Sequence, residues 1–179
     1  DIIWLNIPIE GNIVMNNENT YIFTQPIEAI LPSYDQLGNN TCQVISSQGT
    51  STTFPVSVSR LIRSWFLLLH IDLYAQRMWS QEILGQRNLN PIIVHEDHIL
   101  IPVKIREAVG SKDGCYGYFR LTSIQKITPE YILLSSGAKI PYLSTMKTIH
   151  TKMRHAKLLG YIYIQELRHY HTIYKNKDY

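Results

Sequence analysis

Lys147, His150, Arg154 and Lys157 recur at steps of three and four residues in the stretch MKTIHTKMRHAKLLG. Steps of that size bring side chains to one flank of a helix. Arg60 and Arg63 sit in a second helical stretch, SRLIRSWFLLL, and Arg77 and Arg87 flank its continuation. The chemistry open to such groups is neutralisation of phosphate, lysine as a point charge and arginine as a planar fork of donors. Any one of them alone is an ordinary solvated charge. Together they suit a groove that tracks a polyanion.

Other chemistries lack their residues. There is no GxxxxGK[ST] phosphate loop, no GxGxxG after a strand and no GxSxG elbow to present a nucleophile. His95 and His98 bracket Glu96 and Asp97, but a polar turn between two strands accounts for them without a metal. His150 and His155 do not share a helical face. Cys42 and Cys115 are too few for a disulfide scaffold and too far apart for a metal motif. They read as free buried thiols of a cytoplasmic protein, with a single disulfide as the alternative. No catalytic residue, cofactor or metal site is assigned. A small enzyme stays an alternative only because every chain of this length holds histidine, serine and carboxylates.

The cationic residues must be placed by helices, and the helices follow hairpins. Tyr131 to Leu134 is a short β-prone run, Ser135, Ser136 and Gly137 form a turn, and Ile140 resumes the apolar pattern before Pro141. Ser144 or Thr145 can cap the helix that follows. Its apolar stripe is Met146, Ile149, Met153 and Ala156. The same order occurs earlier: a β-prone run from Cys42, a Ser46-Ser47-Gly49 turn, Ser51 to Phe54, Pro55, then Ser57 or Ser59 as cap. Two such passages predict an α+β fold of antiparallel hairpins with helices packed against them, with room for pseudo-duplicated halves at 12–84 and 91–160.

Further strands are expected at Thr20 to Phe23, at Ala29 to Leu31 closed by Pro32, at Pro91 to Val94, at His98 to Val103, at Cys115 to Leu121 and at Ser123 to Ile127. After Gly160, 161–179 reads as a C-terminal extension: Tyr161 to Leu167 is apolar and fits either strand or helix, and the polar, aromatic end from Arg168 frays or serves as a handle. The first helix is apolar almost all round. Leu61, Trp65 and Leu69 are therefore candidates for self-association as well as for the core.

Length and charge set the bounds. A chain of 179 residues suits one domain or two intimately packed halves. An apolar content of 45% excludes disorder, and a net charge of +3 is compatible with nucleic acid without requiring it. No secretory signal and no apolar run long enough to span a bilayer is read, so the expected location is cytoplasmic.

The order of features resembles the ComK family of bacterial competence transcription factors, over about Thr20 to Leu159. The passages that carry the resemblance are TYIFTQPIEAILPSYDQLGNNTCQVI, LIRSWFLLLHIDLYAQR, NPIIV, ILIPVK and the hairpin ILLSSGAKIP, with Arg77 at the close of the second and Arg154 near a helical arginine of the family. Where the family pattern carries glycine and serine, this chain has Leu67 to Leu73, and Gln76 stands in place of a glycine. That change favours packing for the segment. The resemblance implies a transcription activator that dimerises on AT-rich duplex DNA, reads it largely through the minor groove, and is delivered to a protease by an adaptor. It implies Arg63, Arg77, Arg87 and Arg154 as groove contacts. The helical row Lys147, His150 and Lys157 would hold the backbone. The rival readings are a degenerate regulator that acts as a protein-interaction module, and the enzyme.

Overall fold

Ile30, Val44, Ile92, Leu100 and Tyr118 come from five strands yet face one way. The registers Ile30–Val44, Ile30–Tyr118, Pro102–Tyr118 and Ile92–Leu100 align them. The computed structural model describes residues 26–110 and 113–175. Within them lie β1 (Ile27–Tyr34), β2 (Asn40–Ser46), β3 (Ser51–Phe54), β4 (Ile92–His95), β5 (His98–Lys104) and β6 (Tyr116–Arg120). These pair antiparallel in one sheet of order β3-β2-β1-β6-β5-β4. A second antiparallel sheet holds β7 (Ile124–Ile127), β8 (Tyr131–Leu134) and β9 (Lys139–Pro141). Three helices complete the described chain: α1 (Val58–Leu68), α2 (Leu73–Leu84) and α3 (Met146–Lys175). The class is α+β, as the hairpin-then-helix pattern predicts.

The large sheet is buried on both faces. On one, Ile30, Val44, Phe54 and Leu100 pack against Leu61, Ile62, Trp65 and Phe66 of α1. On the other, Leu31, Ile101, Val103 and Phe119 meet Ile132, Leu134 and Ile140 of the small sheet and Ile149, Ala156 and Leu159 of α3. Strand alternation makes both cores possible, since successive residues such as Ile99 and Leu100 face opposite layers. Helix α2 runs along the β4 edge. Its Leu73 joins the first core, its Trp79, Ile83 and Leu84 the second. Gln76 donates its Nε2 to the carbonyl of Ile93 at 2.7 Å, satisfying an acceptor on what is otherwise an open strand edge.

Local chemistry sets the helix ends. Ser57 caps α1, its hydroxyl accepting the Arg60 amide at 3.4 Å, and Thr145 does the same for Thr148 in α3 at 3.1 Å. The alternative cap Ser144 instead accepts the Lys104 amide at 3.0 Å, pinning the end of β5. Asp72 caps α2 by accepting the amides of Tyr74 and Ala75. Helix α1 closes with His70 at φ 57° and Ile71 donating to the Phe66 carbonyl at 2.9 Å, an αL ending on a residue other than glycine.

Several expectations are corrected. Pro32 does not end its strand; β1 runs through to Tyr34. Its pairing with β6 covers only Ala29 and Ile30, so Pro32 lies where one edge of β1 carries no ladder and a missing N–H is tolerated. Of the two readings of Tyr161 to Leu167 the structure takes helix, and α3 continues to Lys175 through the segment read as fraying or as a handle. Leu61 and Trp65 are 0% and 3% exposed within the chain's own core, so neither offers a surface for self-association; Leu69, at 42%, does. The repeated hairpins take non-equivalent places. One belongs to the six-stranded sheet and the other builds the small one, although their turns meet: Glu28 accepts the Ser136 amide at 3.2 Å, and Gly49 lies against Ser136. Cys42 and Cys115 are both free, and burial pushes the Cys42 thiol up to about 12. The strand expected at Thr20 to Phe23 lies outside the described residues.

The role of Gly160 is close packing. A Cβ placed there would stand 2.6 Å from Ile99 Cδ1. Gly160→Ala gains about 1 kcal/mol of helix propensity but overpacks a buried contact, which costs about 1–3 kcal/mol. We expect net destabilisation in urea unfolding. Ile99→Val removes the opposing methyl, so the double variant should be more stable than the sum of the two singles predicts. Additive effects would refute the contact.

Candidate nucleic-acid interface

The hairpin-then-helix pattern delivers Arg63 to the outer face of α1, one turn before the helix closes. The αL bend at His70 then turns the chain, and Arg77 emerges on α2 facing back toward it. Both arginines line one hollow of about 680 Å³ at the α1–α2 corner. Arg77 also lines a second hollow, about 300 Å³, together with Arg87, Asn88 and Tyr118. Arg87 borders a third with Met78, Trp79 and Glu82. Arg63, Arg77 and Arg87 are thus joined through adjoining concavities. All three are exposed, and none forms an ion pair with a carboxylate among the described residues.

The surroundings hold two of these arginines in place. The Tyr118 hydroxyl is pushed up in pKa by burial, and the Arg77 guanidinium beside it works the other way. The loop that carries Arg87 is pinned from two sides. Asn90 donates to the Gln86 carbonyl at 2.8 Å, and Lys152 of α3 donates to the carbonyl of Leu89, itself at φ 57°. Burial there draws the Lys152 ammonium down in pKa. His155, one turn on, is lowered by burial and by its neighbours Lys152 and Arg154.

The α3 row is not part of this strip. Lys147, His150, Arg154 and Lys157 are all exposed, on the side of α3 turned away from the residues it buries, Ile149, Ala156 and Leu159. Because α3 covers one face of the sheet and α1 the other, the row and Arg63 lie on different layers. Arg77 and the Arg87 loop lie between them at the β4 edge, where α2 joins the core that α3 also lines. The residue of α3 that does reach the arginine loop is Lys152, which the three- and four-residue row passes over. Leu67, in the segment whose composition favours packing, stays 53% exposed and flanks the first hollow together with Tyr74 at 74%.

Two other polar clusters are built differently. His95, Glu96 and Asp97 hold their ligand atoms within 4.8 Å of one another in the β4–β5 turn, all three exposed, as a solvated hairpin turn does. Asp113 accepts from Tyr34 Oη at 2.6 Å, Asn40 Nδ2 at 2.7 Å and the Gly110 amide at 2.7 Å. Arg106 lies 3.7 Å over the Tyr34 ring and donates to Asn40 Oδ1. This clasp ties the β5–β6 connection to the β1–β2 end.

The Tyr34 and Asn40 hydrogen bonds hold the Asp113 carboxyl well below the usual carboxylate range. A depressed folded pKa means that the clasp contributes fully above the unfolded aspartate value of about 3.9. It is lost only as pH falls through the lower, folded value. The protection of the Gly110 amide, its exchange relative to the intrinsic rate at each pH, should therefore hold down to about pH 4 and decline progressively below it, while Asp113→Ala should show little protection at any pH. Loss of protection already near pH 6 would count against the clasp.

Among the described residues no helix is long and apolar enough to cross a membrane. No family model matches the chain, and no curated protein or solved structure matches it.

Proposed function

We propose that this protein binds duplex DNA through the strip Arg63, Arg77 and Arg87, as a transcription regulator of the competence type working in the cytoplasm on the nucleoid. The observation that carries the reading is the strip itself: three exposed arginines, unpaired with acids among the described residues, along adjoining concavities. Arginine in a concave surface suits the narrow, strongly negative minor groove of AT-rich DNA. The resemblance to competence regulators supports the same target, with a homo-oligomer on DNA and a protease adaptor as further partners. The test is equilibrium titration of AT-rich and GC-rich duplexes at several salt concentrations. Affinity should fall steeply with salt and favour the AT-rich duplex. No binding to either at low salt would remove the reading.

A second reading, the protein-interaction module, is favoured by the exposed apolar side chains Leu67, Leu69, Tyr74 and Met78 beside the same strip. That module would bind a protein partner tightly and show negligible salt-dependent DNA binding.

A further inference from the structure

The hollow at the α1–α2 corner is built differently from a surface that only touches phosphates. Its volume of about 680 Å³ falls in the range of small-molecule sites, roughly 300–1,000 Å³. Phe66, Leu67, Ile71 and Leu73 give it an apolar lining, and Arg63 and Arg77 bring two guanidiniums to the same space. The one carboxylate present, Asp72, has an oxygen engaged at 2.8 and 3.0 Å by the first amides of α2. That oxygen is directed to the helix end, and the two guanidiniums outnumber the single carboxylate at the site. His70, at φ 57°, makes the sharp bend that opens the corner. Leu67 and Tyr74 stay exposed at its lip although each has a large apolar surface to bury.

We propose that this hollow binds a small amphipathic anion: a carboxylate or phosphate head on an apolar body. The head would sit on Arg63 and Arg77, each able to offer a bidentate fork. The body would lie on Leu67, Ile71 and Leu73, covering apolar surface that water now touches. A bare phosphate would need only the arginines, and a neutral apolar molecule only the lining. The combination selects a ligand with both parts. The site shares Arg63 and Arg77 with the strip proposed for duplex DNA, but Arg87 lies outside this hollow.

The test uses decanoate below its micelle concentration, with decanol and acetate as the two halves of its chemistry, read by amide NMR shifts on the full chain. Decanoate should saturate with shifts centred on Leu67, Ile71 and Tyr74, and both controls should bind at least tenfold more weakly. Arg63→Gln and Arg77→Gln, both at exposed positions, should each weaken decanoate at least fivefold, with unchanged circular dichroism. Arg87→Gln should leave decanoate unaffected while weakening duplex binding. Retained decanoate binding without any duplex binding would therefore sink the DNA reading and leave this one standing. Equal binding of decanol, equal binding of acetate, or shifts elsewhere in the molecule would overturn the proposal. So would saturation by an acidic amphipathic peptide without any response to decanoate, which would reassign the hollow to a protein partner.

Discussion

Leu61→Asp is expected to leave no folded chain under native conditions, whereas Leu69→Asp is expected to fold. Leu61 is fully buried among Ile62, Phe66 and the sheet residues Ile30 and Val44. A carboxylate there loses its hydration and gains no partner, which costs upward of roughly 4 kcal/mol. The lost leucine packing adds about 2–5 kcal/mol. Set against a total stability of about 5–15 kcal/mol for an ordinary domain, the sum is enough to unfold it. Trp65→Asp, at a site 3% exposed, should behave alike. Leu69 is 42% exposed at the C-cap of α1. An aspartate there meets only the unfavourable end of the helix dipole, about 0.3–1 kcal/mol. Urea unfolding and sedimentation of the three variants separate the outcomes. A folded Leu61→Asp chain that had merely changed from dimer to monomer would mean that this segment is an interface after all.

The contrast between Leu61 and Leu69 shows where the sequence stops being legible. A helix with leucine on every side declares burial without saying which side is buried. Only the sheet beneath α1 decides that Leu61, Ile62, Trp65 and Phe66 turn inward while Leu67 turns out. The hairpins were readable because their signals are local: turn formers between β-prone runs, then proline and a capping hydroxyl. Pro32 misled for the same reason. It is a local stop signal overridden by the short β1–β6 register, which leaves its missing N–H with no ladder bond to lose. The arginines could be singled out by type. That Arg63 and Arg77 share a hollow, however, follows from the αL bend at His70, and neither residue type nor spacing predicts that bend. The Asp113 clasp reaches across 79 residues to Tyr34, beyond any periodicity.

Replacing Arg63, Arg77 and Arg87 together by glutamine should cost far more duplex affinity than replacing Lys147, Arg154 and Lys157 together. Each phosphate neutralised by the protein contributes about 0.9 to the slope of log affinity against log salt. At about 0.1 M salt that amounts to roughly tenfold per contact, so the strip variant should lose up to about a thousandfold and about 2.7 units of slope. The α3 row is on the side of α3 turned away from the core, and Arg63 is on the opposite layer of the sheet. A straight duplex seated along all three arginines, from α1 across the β4 edge, is expected to leave the outer face of α3 uncontacted. The row variant should therefore change affinity by less than about threefold at the same salt. Both substitutions remove three exposed cations and the same formal charge, so a general electrostatic attraction would weaken equally in both. That equality is the outcome that sinks the strip. A larger loss for the row variant would move the interface to α3. The strip variant should also erase the preference for AT-rich over GC-rich duplex, because arginines inserted in a narrow groove respond to its width and potential, whereas contacts to phosphate do not.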